Sequence, residues 1–216
     1  MAETFDVFTK KFRSQTRKYA YNGDNITFDF DGNNQLLARH THSPLMPDDI
    51  LSSEISSDGV SAGMAQNSGE VFYLKDALGS VSTILNSSGG VLQKYDYSVY
   101  GKEFSIKDGS GVDITAAPLV ATSFSYTGRE YEPELGIYYY RARYYDPSIG
   151  RFLQQDPGAK MSAITIVNRF AYVGNNPAKF SDPTGRIFGI DDAVFIIGAM
   201  IIGGLARDYD RKGKLL

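Results

Sequence analysis

The chain has 216 residues, 42% of them hydrophobic and 22% charged, a balance that excludes a disordered polypeptide and predicts a soluble globular protein. It contains no cysteine, which excludes a disulfide scaffold, thiolate zinc sites and a cysteine nucleophile. The net charge of −3 is uneven: residues 1–18 carry +3 and residues 207–216 carry +2, so the body between them carries −8, which speaks against nucleic acid as the partner.

The basic first segment, 1–18, shows no apolar h-region, so no secretory signal is visible. A first hairpin follows. Ile26, Phe28 and Phe30 alternate with Thr27 and Asp29 in a half-buried strand over 24–30, Asp31-Gly-Asn-Asn34 turns, and Gln35 to His42 returns. His40 and His42 share a face of that strand; a metal site needs more ligands than this pair, and there is no other His and no Cys. The polar stretch Ser43 to Glu70 reads as a long loop. A second hairpin runs Gly79 to Leu85, turns at Asn86-Ser-Ser-Gly-Gly90 and returns over Val91 to Val99, with Val91, Tyr95, Tyr97 and Val99 on one face. A second polar stretch, Ser105 to Thr122, again reads as loop. A third unit has a strand from Phe124 to Tyr131, a turn at Glu132-Pro-Glu-Leu-Gly136 and one return strand from Ile137 to Tyr145, placing Arg141 and Arg143 on one face. Asp146-Pro-Ser-Ile-Gly150 turns once more. Ile187 to Arg207 is the best helix candidate, with Asp191 and Asp192 at its N-terminal end. Its apolar run, Ala193 to Ala206, has 14 residues, short of the roughly 18–20 that span a bilayer.

Tyr- or Phe-rich strands, Gly-containing turns and nearby Tyr-Asp or Asp-Pro pairs recur, the grammar of a repeat architecture rather than a closed sandwich. The specific part is the order of motifs over 124–186: Tyr126-Thr-Gly-Arg-Glu-Tyr131, Leu135-Gly-Ile-Tyr-Tyr-Tyr-Arg-Ala-Arg-Tyr-Tyr-Asp-Pro147, Gly150-Arg-Phe152, Asp156-Pro157, Tyr172-Val-Gly-Asn-Asn-Pro177 and Asp182-Pro-Thr-Gly185. This order resembles the RHS repeat-associated core domain of the Rhs/YD-repeat proteins. Tyr73-Leu-Lys-Asp-Ala-Leu-Gly-Ser-Val81 and Tyr95-Asp-Tyr-Ser-Val-Tyr-Gly101 look like the YD unit before that core, and Tyr21-Asn-Gly-Asp-Asn25 with Leu37-Ala-Arg-His-Thr-His42 looks like one further upstream. The resemblance covers roughly residues 19–186.

The resemblance implies an all-β fold, an antiparallel YD-repeat strand spiral forming part of a hollow β shell, here with a short C-terminal helix. It divides the chain into the basic segment 1–18, YD-repeat-like strands 19–122, the core 123–186 and a tail 187–216. In full-length members the shell encloses a C-terminal toxin. In many the core cuts the chain after its final Asp-Pro-x-Gly-Leu with two aspartates and an arginine. Carried over by motif, the catalytic residues are Asp156, Asp182 and Arg143, and the cut falls between Arg186 and Ile187. Three departures stand out: Asp156-Pro-Gly-Ala instead of Asp-Pro-x-Gly, extra residues around 160–167, and Arg186 where the family prefers Leu. The chemistry is coherent: neighbouring carboxylates share a proton, one activating water while the other protonates the leaving amine, and the arginine stabilises oxyanion charge. No cofactor and no metal is called for.

The partners implied are the chain's own C-terminal segment as cargo and substrate, the rest of an Rhs shell, and a secretion apparatus. The resemblance places the protein as bacterial, secreted or at the cell surface. A shell in this family needs many more strands than this chain supplies, so the chain reads as the end of an Rhs protein without most of its shell. Two other function classes stay open: a non-catalytic surface or carbohydrate-binding module using the tyrosines, and a membrane-active tail in which Ala199 and Gly203 form a small-xxx-small pair. The bland reading of Asp146, Asp156 and Asp182, each before Pro, is that each opens a turn.

Overall fold

The computed structural model describes residues 6–12, 15–44, 48–157 and 168–186. The expected tail helix and Ile187 lie outside the described residues, as do residues 158–167.

Nine strands follow one another in a single antiparallel sheet whose spatial order is its sequence order. They are β1 (Asp6–Phe12), β2 (Gln15–Asn22), β3 (Asn25–Asp31), β4 (Leu36–His42), β5 (Ile50–Ile55), β6 (Gly69–Lys75), β7 (Val81–Asn86), β8 (Val91–Tyr97) and β9 (Glu103–Asp108). The segment set apart by its basic charge thus contributes β1 and the start of β2, paired from Asp6–Tyr21 to Phe12–Gln15.

One device makes five of the turns. A side-chain oxygen at the last residue of a strand, or just after it, accepts the backbone N–H two or four residues on. Asp31 Oδ1 accepts from Asn33 and Gln35, both at 2.8 Å. Asp76 accepts from Leu78 and Ser80. Asn86 accepts from Ser88 and Gly90, and Asp108 from Ser110 and Val112. Ser98 Oγ accepts from Lys102. The third residue after each capping residue is left-handed: Asn34, Gly79, Gly89, Gly101 and Gly111. This is a type I turn closed by a bulge, the usual three-residue hairpin connection.

The two polar stretches do not form free loops. The first contains β5, a five-residue helix α1 (Ser57–Ser61) and the start of β6; the second contains most of β9. What remains of them folds over one face of the sheet. Ala65 bridges Val120, Ala121 N–H donates to the Met64 carbonyl at 2.7 Å, and Gln66 N–H donates to the Leu119 carbonyl. Met64 and Val120 are buried there against Ile55, Val71, Tyr73, Ile84, Tyr95 and Ile106. Polar composition misleads because the cover is held by backbone pairing and by one buried amide. Gln93 on β8 is fully buried; its Nε2 donates to the Val120 carbonyl at 2.9 Å and to Tyr95 Oη at 2.6 Å, and its Oε1 accepts the Val120 N–H at 2.9 Å. The inward face of β8 is therefore Gln93, Tyr95 and Tyr97, while Val91 and Val99 are exposed.

His40 is buried beside this core and His42 is half-buried. Both imidazoles meet the Phe124 ring edge-on. His40 Nδ1 shares a hydrogen bond with Ser53 Oγ at 2.7 Å, and its Nε2 lies 3.3 Å from Asp29 Oδ1. His42 Nε2 donates to the Ile26 carbonyl at 2.8 Å.

The second sheet has four short strands: β10 (Glu130–Glu132), β11 (Ile137–Tyr140), β12 (Arg143–Asp146) and β13 (Arg151–Phe152). The strand expected over 124–131 is interrupted by a 3-10 turn at Tyr126–Gly128. The return strand expected over 137–145 is two strands. Tyr140 pairs with Arg143, so Arg141 and Ala142 form a two-residue hairpin turn. Such turns favour Asn or Gly at left-handed positions; Arg141 sits there at φ 57°, with no local sequence signal. Arg141 and Arg143 therefore serve different places.

Tyr126, Tyr138, Tyr140, Tyr145 and Tyr172 are buried with Phe152 as the core of this sheet. Their hydroxyls tie it to the Ser98–Lys102 turn: Tyr138 donates to the Gly101 carbonyl, Tyr145 to the Tyr100 carbonyl, both at 2.8 Å, and Tyr126 to the Val99 carbonyl at 3.0 Å. Gly101 packs so tightly that a Cβ there would stand 2.3 Å from the Tyr126 ring.

Gln93→Leu leaves the Val120 N–H and carbonyl unsatisfied, and should destabilise by about 2–4 kcal/mol in urea unfolding while opening the 113–122 cover to proteolysis. A second measurement concerns pH. Burial lowers the His42 imidazole to about 4 from its ordinary 6.5. The unfolded chain then binds the extra proton first, so this stability is present above pH 6.5 and is lost as pH falls toward 4. The slope of Tm against pH in that window should be shallower in His42→Gln than in the wild type.

Candidate functional site

Arg143 opens β12 and its side chain is fully buried. Its guanidinium carbon lies 3.5 Å from the centroid of the Phe152 ring, the next strand's side chain, which fixes the plane of the fork. Nη2 stands 3.3 Å from Asp156 Oδ2 and 3.1 Å from Asp182 Oδ2. Nε donates to the Gly185 carbonyl at 2.5 Å. Nη1 has no acceptor among the described residues. Burial pushes the guanidinium down from its ordinary range, and the two aspartates pull it back; an arginine so paired stays charged.

Asp156 follows β13 and is 1% exposed. The chain beside it is pinned by pairing with 168–171: Phe152 N–H donates to the Phe170 carbonyl, Arg151 bridges Ala171, and Asp156 N–H donates to the Arg169 carbonyl at 3.1 Å.

Asp182 uses its two oxygens differently. Oδ1 accepts the backbone N–H groups of Thr184 and Arg186, both at 3.2 Å, and the Thr184 hydroxyl at 3.3 Å. Gly185, the third residue on, is left-handed at φ 66°. This is the turn device of the nine-stranded sheet used once more. Oδ2 is thereby left facing Arg143. The turn reading and the site reading of Asp182 are thus both satisfied, one by each oxygen. Asp146 makes a turn only, accepting the Ser148 N–H at 2.8 Å.

Gly185 is required by approach as well as by φ: a Cβ there would stand 1.9 Å from the Tyr140 carbonyl oxygen. The Asp182–Arg186 turn therefore lies across the β11–β12 hairpin that presents Arg143. Arg186 is exposed and follows Gly185 directly. Sequence patterns missed Asp48 and Arg129, which meet Arg141 beside this turn; Asp48 stands in no motif, and Arg129, although inside Tyr126-Thr-Gly-Arg-Glu-Tyr131, has no neighbour in sequence that points to an ion pair. The tyrosine rings weighed as a sugar platform largely pack on one another.

A meander of short antiparallel strands, cornered by one repeated turn and joined to a tyrosine-packed second sheet, defines a YD-repeat shell module. A family model described as Teneurin YD-shell matches residues 56–178. The chain belongs to that family, the RHS/YD-repeat shell proteins. Among its relatives, the tRNA3(Ser)-specific nuclease WapA of Bacillus spizizenii is 29% identical over 82% of this chain and 7% of its own length. The salivary gland surface protein 1 of Aedes aegypti is 36% identical over 64% of this chain and 4% of its own. Toxin subunit YenC1 of Yersinia entomophaga is 32% identical over 58% of this chain and 12% of its own. The chain thus spans a small fraction of these relatives. The crystal structure of TcdB2-TccC3-Cdc42 shares the fold, with a TM-score of 0.56 and 21% identity over 79% of this chain and 8% of that one.

Arg143→Met strips the cation from two buried carboxylates and should cost about 3–5 kcal/mol in urea unfolding. Arg143→Lys keeps the charge but loses the fork, and should cost less.

Proposed function

We propose that this module closes the end of a YD-repeat shell and cuts its own chain between Arg186 and Ile187, releasing the polypeptide that follows as the enclosed cargo. One observation carries the reading: a single buried guanidinium touches both Asp156 and Asp182 and also holds the Gly185 carbonyl, one residue before the bond to be cut.

The step balances with water as co-reactant. One carboxylate of the pair takes a proton from water as its oxygen attacks the Arg186 carbonyl carbon. The other, which enters the step protonated because the two carboxyl groups share one proton, gives that proton to the Ile187 nitrogen as the C–N bond breaks. Arg143 keeps the pair together, and its Nη1 is a donor for the oxyanion that forms. Because the peptide lies in the same chain and its turn is already fixed by Asp182, no separate binding step is needed. The toxin and surface-protein names of relatives support a secreted or cell-surface module whose partners are its own downstream segment and further shell strands.

Intact mass at neutral pH tests this, avoiding acid because Asp-Pro bonds are acid-labile. Wild type should split after Arg186, while Asp156→Asn and Asp182→Asn stay whole. Asn already serves this turn at position 86, so Asp182→Asn keeps the fold. An unsplit wild type would make the cluster a structural closure.

A further inference from the structure

Three charged residues beside the turn have no role in the reaction just described. Asp48 precedes β5 and Arg129 precedes β10; Arg141 occupies the β11–β12 hairpin turn. Asp48 Oδ1 accepts from Arg129 Nη2 at 2.5 Å and from Arg141 Nη2 at 2.6 Å, and its Oδ2 accepts from Arg141 Nη1 at 3.1 Å. All three side chains are largely buried, at 8%, 3% and 15% exposure. Arg141 also reaches the exposed Asp24, its Nε 3.5 Å from Oδ1 and its Nη2 donating to the carbonyl at 3.3 Å, which leaves Asp48 as the buried carboxylate shared by two guanidinium groups, with donors to spare. One donor from each arginine meets on the same backbone atom. Arg129 Nη1 donates to the Pro183 carbonyl at 2.8 Å, and Arg141 Nη1 donates to the same oxygen.

We infer that Asp48, Arg129 and Arg141 are positioning residues, a clamp that grips the Pro183 carbonyl and holds the Asp182–Arg186 turn in register with Asp156 and Arg143. The inference rests on the self-cleavage reading. The turn is then held at three successive points: Asp182 Oδ1 caps it, the clamp takes the Pro183 carbonyl, and Arg143 Nε takes the Gly185 carbonyl. Two of the three clamp residues sit in the left-handed region, Asp48 at φ 62° and Arg141 at φ 57°. An arginine there costs backbone energy that Asn would largely avoid. The side chain's reach, rather than the turn, accounts for its presence.

That strain supplies a clean variant. Arg141→Asn suits the hairpin turn and removes the reach; Arg129→Gln shortens the other arm. In both, with Tm and near-UV spectra recorded alongside, cleavage followed by intact mass should slow by about 10- to 100-fold, the scale of a small misplacement of reacting groups. Arg141→Lys restores charge without the fork and should recover part of the rate. In the Asp156→Asn background, which keeps the chain whole, amide exchange at Thr184 and Arg186 should quicken by about tenfold with either arm removed. Cleavage at the wild-type rate in both variants overturns the clamp and leaves the self-cleavage reading standing. If the wild type itself stays whole, that reading falls alone, and exchange judges the clamp: quickened amides support it, unchanged amides overturn it.

Discussion

A short side-chain oxygen accepting the backbone N–H groups two and four residues ahead is the interaction on which this structure depends. It reverses the chain at Asp31, Asp76, Asn86 and Asp108, and in reduced form at Ser98. A hairpin turn needs those N–H groups satisfied away from the ladder, and a left-handed residue to restore the strand twist. Repeating one solution joins β3 to β4 and carries the chain from β6 through β9, half of the connections of a meander in which each strand lies beside its sequence neighbour. The same solution at Asp182 shapes the turn carrying the proposed cut. A carboxylate has two oxygens, so one closes the turn while the other points at Arg143. A repeat's corner is in this way also the candidate site.

The two sheets are joined by tyrosines for a related reason. A phenol buries a large apolar ring and keeps one hydrogen-bonding atom at its tip. Tyr126, Tyr138 and Tyr145 fill the second core while their hydroxyls reach the carbonyls of Val99, Gly101 and Tyr100 at the corner of the larger sheet. Phenylalanine would fill the same space and leave those carbonyls unmet. Burial also raises these phenols above their ordinary range, so they remain neutral donors.

Arg143 stands where both systems meet. β12 belongs to the tyrosine-packed sheet, and the aspartates arrive from the segment after β13 and from the Asp182–Arg186 turn. Phe152 beneath the guanidinium, the 151–156 pairing with 168–171, and the Gly185 approach to Tyr140 each remove one freedom from the cluster. The clamp at Pro183 removes another. Buried charge is costly unless every group is held, which accounts for so many constraints within a few residues.

The sequence by itself determined the strand pattern of 24–42 and 79–97, because alternation and turn residues act over a few neighbours. It also determined the family, through the order of motifs from Tyr126 to Gly185; the resemblance singled out Arg143, Asp156 and Asp182, and the structure brings these three side chains together. Only the tertiary structure decided that polar segments cover the core, since Gln93 and Val120 are 27 residues apart. Only it decided that 137–145 folds back at Arg141, because the compensation for that left-handed residue lies at Asp48 and Pro183. Local propensity carries no information about a partner 93 or 42 residues away, and the convergence of two arginines on one carbonyl is a property of the folded chain alone.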